Sequence, residues 1–514
     1  MRASLEALYS TRWPPALAAA ILAAALLMIL TRNVLDHPPV YDELLHILAA
    51  RGLSQTGHPV IGTGLYDRAE LFTWMVAGAG RLVSDEILAA RLPAFLAAMF
   101  LVLVVVLWVA RKVGVLAGFA AGLLLACNLV TIDLAVFARF YTVHALAFFL
   151  AFICLYEAFA IGTRPVMAAV YVVLGLIGLG IAFYFQITTV IAGGAIGAGL
   201  LAGVIAERRE QARAIWQQYA KWIVVAVVVV VALGVGVLLL FNAVAIFREA
   251  PMWGAASANR LGYYNAALAE KMPLFWPLVP FAALATCIRY PRLGWTLLVA
   301  IAITLAAHSL AASKAPRYVY YALPFIVILL GTGLSIAFSL LARSLAGRWQ
   351  VAAVVFVAAL VASNEGYRTA RLLIGRDDYR VTGLSYAIDT SWKSAQPALR
   401  ELAEKSSAIV TSNSMKAIYY IGRYDYELNA SIVNETDTRD EFGIDERTGG
   451  RAISTAASLE KVIRENERTL IVVENRKLDV PAGVSTEAAH VAQQECTGVT
   501  VPRDAGLTVW VCAR

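Results

Sequence analysis

The 514-residue chain is 60% hydrophobic and 15% charged, with a net charge of +7 and a mean hydropathy of +0.68. No soluble globular domain of this size has that composition, so the chain reads as a polytopic α-helical membrane protein. The basic surplus lies in the apolar part: positions 1–363 carry 24 basic and 14 acidic residues, positions 364–514 carry 19 and 22. That distribution argues against nucleic acid and for membrane lipid head groups or another anionic ligand.

Hydrophobic runs predict eleven spans, at about 14–30, 87–110, 115–131, 138–160, 166–185, 187–206, 222–241, 272–288, 295–310, 318–341 and 349–363. The first, with Arg2 and Arg12 ahead of an alanine-rich stretch, also has the form of a signal peptide. With the N-terminus inside, short inner loops collect Arg111-Lys112, Arg164, Arg208-Arg209, Arg289 and Arg292. An odd number of spans then puts the tail outside.

The loop at 31–86 is the longest polar stretch before the tail. Tyr41, Leu44, Leu45 and Leu48 form an apolar stripe at helical spacing, with Asp42 and His46 on the adjoining polar face. Phe72, Met75, Val76 and Ala79 form a second, preceded by Asp67, Arg68 and Glu70. Two interfacial helices flanking polar residues predict a substrate-binding cap.

The charge density rises at Asn364, which predicts a boundary between a membrane domain, 1–363, and a water-soluble domain, 364–514. In the latter, 408–411, 469–473 and 507–511 read as strands and 459–467 as a helix, a compact α/β domain. Residues 434–451 read as a surface loop. Cys496 and Cys512 lie in segments that can pair as adjacent strands, compatible with a disulfide in an oxidising compartment.

Two constellations can carry chemistry. Asp42-Glu43 follows the first span, and a carboxylate at the membrane boundary can take a proton from a hydroxyl or hold a divalent metal. Acids in a first helical turn are also simply favoured by the helix dipole. His46 gives the pair a faint likeness to a metalloprotease helix, but the first histidine is missing. The second constellation is Arg68, Arg91, Arg139, Lys314 and Arg317 with Tyr66, Tyr141 and Tyr318, all at outer helix ends. Such cations and phenols suit a phosphate or pyrophosphate. Snorkelling and interface anchoring are the ordinary roles of these residue types, yet all five cations fall on the face that holds Asp42.

With those residues in place, the chain resembles the GT-C glycosyltransferases that use polyprenyl-phosphate sugars. The likeness is strongest to the protein O-mannosyltransferase and lipid A aminoarabinose transferase branch. It rests on Asp42-Glu43, the run from Tyr66 to Trp74, Ala90-Arg91-Leu92-Pro93-Ala94, Ala138-Arg139-Phe140-Tyr141 and Lys314-Ala315-Pro316-Arg317-Tyr318. The chain departs where many relatives have Lys-Pro-Pro and this one has Arg68-Ala69-Glu70.

The resemblance implies an inverting transfer at the extracytoplasmic face of a bacterial-type inner membrane, with a periplasmic tail. The donor would be a polyprenyl-phosphate-linked sugar and the acceptor a lipid, glycan or protein hydroxyl. It implies Asp42 as base with Glu43 as second choice, and Arg68, Arg139, Tyr141, Lys314, Arg317 and Tyr318 at the donor phosphate. Tyr66, Glu70, Arg91 and His46 would contact substrate, and a divalent metal is compatible because members differ in metal dependence. The rival readings are a transporter or lipid flippase and a noncatalytic membrane anchor for the tail. Nearly charge-free mid-span positions, with polar residues gathered at one face, favour an interfacial enzyme.

Overall fold

The structure is a computed structural model. It describes residues 2–32, 37–160, 163–208, 261–311, 314–344, 359, 392–430, 432, 442–445, 447–480 and 483–513. The chain divides into two compact units: residues 1–33, 94–136 and 140–377, and residues 34–93, 137–139 and 378–514.

The first unit is helical. Among the described residues seven helices are long and apolar enough to cross a membrane, or nine spans if each of two bent pairs counts as one. The elements are α1 (Arg2–Thr31), α4 (Glu86–Lys112, whose residues up to Pro93 belong to the second unit), α5 (Val115–Ala126), α6 (Leu129–Ala135), α7 (Tyr141–Ala158), α8 (Pro165–Phe185) and α9 (Thr189–Glu207). They are followed by α10 (Tyr263–Lys271), α11 (Val279–Arg289), α12 (Pro291–Leu310) and α13 (Leu323–Ser344). The expected span at 115–131 is the bent pair α5–α6, turned by 63°, and that at 272–288 belongs to a second pair turned by 112°. The expected spans at 222–241 and 349–363 lie outside the described residues.

Small residues let these helices approach closely, as lipid-embedded packing requires. A Cβ on Gly118 would meet the Val106 carbonyl at 2.5 Å, so α5 lies against α4 backbone to backbone. The charged helix ends cluster. Lys112 at the end of α4 lies 2.7 Å from Glu157 near the end of α7, and Trp108 Nε1 donates to the same carboxylate at 3.1 Å. Arg292, opening α12, lies 3.7 Å from Glu207 at the end of α9 and 4.2 Å over the Tyr156 ring. At the opposite end of these helices His144 pairs with Thr189 at 2.8 Å and His308 with Tyr321 at 2.9 Å. The rings of His144 and Tyr321 meet edge-on at 5.6 Å. Positions expected at inner ends therefore share one end of the unit, as an antiparallel bundle requires.

The second unit joins the first-loop elements to an α/β domain. Its sheet has seven strands in the order β5-β6-β4-β3-β7-β9-β8. They are β3 (Ala408–Thr411), β4 (Tyr426–Leu428), β5 (Gly443–Ile444), β6 (Arg451–Ile453), β7 (Arg468–Glu474), β8 (Thr497–Val499) and β9 (Leu507–Ala513). The central four run parallel, with β3 pairing Ala408 to Thr469 on β7, and β5, β8 and β9 are antiparallel. Helices cover both faces, so β3 and the middle of β7 are buried on both sides rather than alternating. Val410, Ile471 and Val473 pack with α15 (Ala456–Glu465) and α16 (Thr486–Glu495). Ile409, Leu470 and Val472 pack with α14 (Trp392–Glu404). The expected strands and helix are all present, and Cys496 and Cys512 form a disulfide across the neighbouring strands β8 and β9.

The two expected loop helices are α2 (Tyr41–Thr56) and α3 (Glu70–Ala79), joined by a hairpin of β1 (Val60–Ile61) and β2 (Gly64–Leu65). The loop is held to the α/β domain by backbone and side chain. Thr63 N donates to the Thr448 carbonyl at 3.0 Å, and the Arg51 guanidinium lies 5.4 Å from the Tyr419 ring centre.

Candidate active site

The site begins with the first turn of α2. Glu43, the third helical residue, reaches back so that Oε2 accepts from Val40 N at 3.1 Å, satisfying a backbone donor at the helix start. The same carboxylate is gripped from elsewhere in the unit. Arg91 donates Nε to Oε1 at 2.8 Å and Nη2 to Oε2 at 2.9 Å, and Ala138 N donates to Oε1 at 2.9 Å. Glu43 is 2% exposed and Arg91 3%. Arg91 Nη1 also donates to the His37 carbonyl at 3.0 Å. This is a bidentate, fully desolvated ion pair that ties three stretches of chain together. Both oxygens of Glu43 are engaged, a poor arrangement for a proton acceptor, and the Arg91 fork faces Glu43.

Asp42, one residue earlier, is half-buried. Its backbone carbonyl accepts from Arg139 Nη1 at 3.2 Å, and Arg139 Nη1 also reaches the Tyr66 hydroxyl at 3.2 Å. Asp42, Tyr66 and Arg139 are thus brought together from positions up to 97 residues apart. Arg139 is 4% exposed, whereas Arg68 and Asp67 are exposed.

His46, a turn after Asp42, is fully buried. Its Nδ1 pairs with Thr73 Oγ1 on α3 at 2.9 Å, and its ring meets Tyr66 and Phe72 edge-on. Burial first, then the charges of Arg139 and Arg68, hold this imidazole well below its ordinary value, so it is neutral at physiological pH. Its place is in the packing between α2 and α3. Thr73 carries no motif of its own, and only the pairing reveals it.

Glu70 opens α3 and accepts from Trp74 Nε1 at 3.0 Å. Ala69 before it has φ of 51°, a left-handed conformation unusual for a residue with a Cβ and closed to proline. The departure from Lys-Pro-Pro in Arg68-Ala69-Glu70 is therefore a departure in backbone as well as in side chains.

Tyr141, Lys314, Arg317 and Tyr318 belong to the helical unit. Tyr141 opens α7, and the other three follow α12, at the end marked by His144 and His308. Lys314 is 9% exposed and donates Nζ to the Ala311 carbonyl, and the Arg317 guanidinium lies 5.4 Å from the Tyr318 ring centre. Among the described residues no three His, Cys, Asp or Glu side chains come together as metal ligands. With Glu43 fully engaged, the Asp42-Glu43 pair does not form a two-carboxylate metal cradle.

No family model matches the chain, and no curated protein matches it. Solved structures do. ArnT from Cupriavidus metallidurans in the apo state matches with a TM-score of 0.60 and 15% identity, over 96% of this chain and 97% of that one. ArnT bound to undecaprenyl phosphate matches with a TM-score of 0.59. The archaeal oligosaccharyltransferase AglB from Archaeoglobus fulgidus, in complex with an inhibitory peptide and a dolichol-phosphate, matches with a TM-score of 0.58 and 14% identity. That match covers 91% of this chain and 70% of AglB. The chain shares its fold with ArnT and AglB.

Proposed function

We propose that the protein is a membrane glycosyltransferase that moves a sugar from a polyprenyl-phosphate donor to a hydroxyl of a lipid, glycan or protein acceptor. The observation that carries this reading is the fold shared over 96% of the chain with a protein solved with undecaprenyl phosphate. Residues 1–363 would form the membrane catalytic domain, with the loop at 31–86 as its cap, and 364–514 the extracytoplasmic domain. The setting would be a bacterial-type inner membrane.

Asp42 is the proposed base. Its carboxylate takes the proton of the acceptor hydroxyl as that oxygen attacks the anomeric carbon from the face opposite the phosphate. The carbon–oxygen bond to the phosphate breaks, its electron pair leaves with the polyprenyl phosphate, and the anomeric centre inverts. Arg68, Arg139, Lys314 and Arg317, with Tyr141 and Tyr318, are the proposed partners of the phosphate, whose charge grows as the bond breaks. Glu43 and Arg91 hold the first turn of α2 in place. The engaged oxygens of Glu43 support Asp42 rather than Glu43 as the acceptor of the proton.

The test is transfer from a radiolabelled polyprenyl-phosphate sugar by Asp42→Asn in proteoliposomes. Turnover should fall by roughly 10²–10⁴-fold, the usual contribution of a general base. Donor affinity and thermal unfolding should stay at wild-type values. Activity within a few-fold of wild type would remove Asp42 from the chemistry.

A further inference from the structure

The first-loop helix and the α/β domain enclose a cavity of about 280 Å³. Its charged lining is three cations, Arg51, Lys393 and Arg400, against one acid, Glu86. Two of the cations are held in position. Arg51 donates Nε and Nη2 to Glu86 at 3.1 and 2.9 Å, with Tyr419 beneath its guanidinium. Arg400 donates Nε to the Tyr420 carbonyl at 2.8 Å. A guanidinium carries five N–H groups, so both retain donors beyond these bonds. Lys393 is exposed and has no ion-pair partner among the described residues.

The remaining wall is aromatic. Tyr419 and Tyr420 meet edge-on with ring centres 4.9 Å apart. Burial first, then the charge of Glu86 and more weakly that of Asp85, push the Tyr419 phenol up to about 12, so it stays a neutral phenol that bonds the Glu86 side chain. Asp85 itself caps α4 by accepting from Leu88 N at 2.8 Å.

Charges on a solvated surface are ordinarily inert. Here fixed guanidinium forks, a lone lysine and the half-buried Tyr419 line a concave space with a positive excess. Its volume lies just below the usual range of ligand sites, about 300 to 1,000 Å³. That is room for one ring and not for an oligosaccharide. The Tyr419 phenol oxygen can accept from a sugar hydroxyl, and guanidinium groups suit a carboxylate or phosphate.

We propose that this cavity binds a single sugar unit bearing a negative substituent, at a place distinct from the reaction centre. Arg51 follows Asp42 by nine residues on α2, which is about 14 Å along the helix axis and half a turn around it. A sugar in the cavity is therefore not the one whose hydroxyl meets Asp42. The site stands on the cavity alone and goes beyond the transferase reading.

Calorimetric titration of the full-length protein in detergent tests this, with glucuronate, glucose 6-phosphate, glucose and inorganic phosphate as probes. At least one charged sugar should bind about tenfold or more tightly than glucose and than inorganic phosphate. The carboxylate and phosphate arms identify the preferred substituent. Lys393→Glu, on the exposed wall, should weaken that binding about tenfold, with a smaller loss for Lys393→Gln and unchanged thermal unfolding in both. Asp42→Asn should leave binding unchanged. No binding, equal affinity for glucose, inorganic phosphate bound as tightly as the sugar, indifference to both Lys393 variants, or loss of binding in Asp42→Asn would each overturn the proposal. The readout needs neither donor nor turnover, so failure of the transferase reading leaves a positive result standing.

Discussion

Glu43 with Arg91, at the start of α2, and Glu474 with Lys416, at the carboxyl end of the sheet, are buried ion pairs in the same compact unit, at 2.8 and 3.0 Å. Around Glu474 the partner set is dense: Asn413 Nδ2 and Trp392 Nε1 donate to Oε1 at 3.2 and 3.1 Å, and Arg476 donates to Oε2. Glu43 is equally engaged, but its neighbour Asp42 keeps a half-buried side chain in a turn whose backbone Arg139 holds. A carboxylate that is buried and fully partnered acts as a frame, and chemistry needs a neighbour that a substrate can reach. The difference between the two regions is that one frame carries such a neighbour.

The largest effect that sharpens this contrast is in turnover. Asp42→Asn should lower transfer by roughly 10²–10⁴-fold while leaving stability alone, and the reverse result would put the frame and the reactive group in the wrong order. Arg91→Met comes next. It leaves Glu43 buried without its cation, and removing one partner of a buried pair costs about 3–5 kcal/mol. Thermal unfolding of the full-length protein should show that loss, and an unchanged midpoint would mean that the pair does not hold the turn.

Glu474 should reveal itself by pH. Burial pushes its carboxyl up, but Lys416, Lys477 and Arg476 together outweigh this and hold it down to about 2, from the ordinary 4.5. A carboxyl depressed on folding contributes stability that is present above its unfolded value and is lost as pH falls through its folded value. Wild type should therefore lose about 3 kcal/mol between pH about 4.5 and 2 that Glu474→Gln does not lose. Parallel acid-unfolding curves for the two would refute it. The smallest effect concerns the Cys496–Cys512 disulfide, which closes a 16-residue separation. Replacing both cysteines by serine should lower stability by up to about 3 kcal/mol and leave transfer unchanged, because none of the proposed site residues lies on β8 or β9. A loss of transfer at full stability would link that edge to the site.

Much of the fold was legible because it depends on local pattern. Spans follow from apolar runs, and the strands at 408–411 and 469–473 follow from short runs of Ile and Val. The helices α2 and α3 follow from stripes such as Tyr41, Leu44, Leu45 and Leu48. The site was legible only in part. Adjacent acids at 42 and 43 have the same chemistry and the same dipole, so nothing in their spacing separates a frame from a base. Arg91 lies in the early turns of α4 and Arg139 just before α7, yet one faces Glu43 and the other the Asp42 carbonyl and Tyr66.

By itself the sequence determined a membrane protein of many spans and an α/β tail, because hydropathy, strand propensity and charge are properties of residues and near neighbours. The tertiary structure decided that the first loop forms one compact unit with the tail. It also decided that Glu43 is gripped by Arg91 and Ala138, and that Arg51 and Arg400 line one cavity. Those outcomes depend on which desolvated groups find partners across tens to hundreds of residues, and that pairing energy has no local signature.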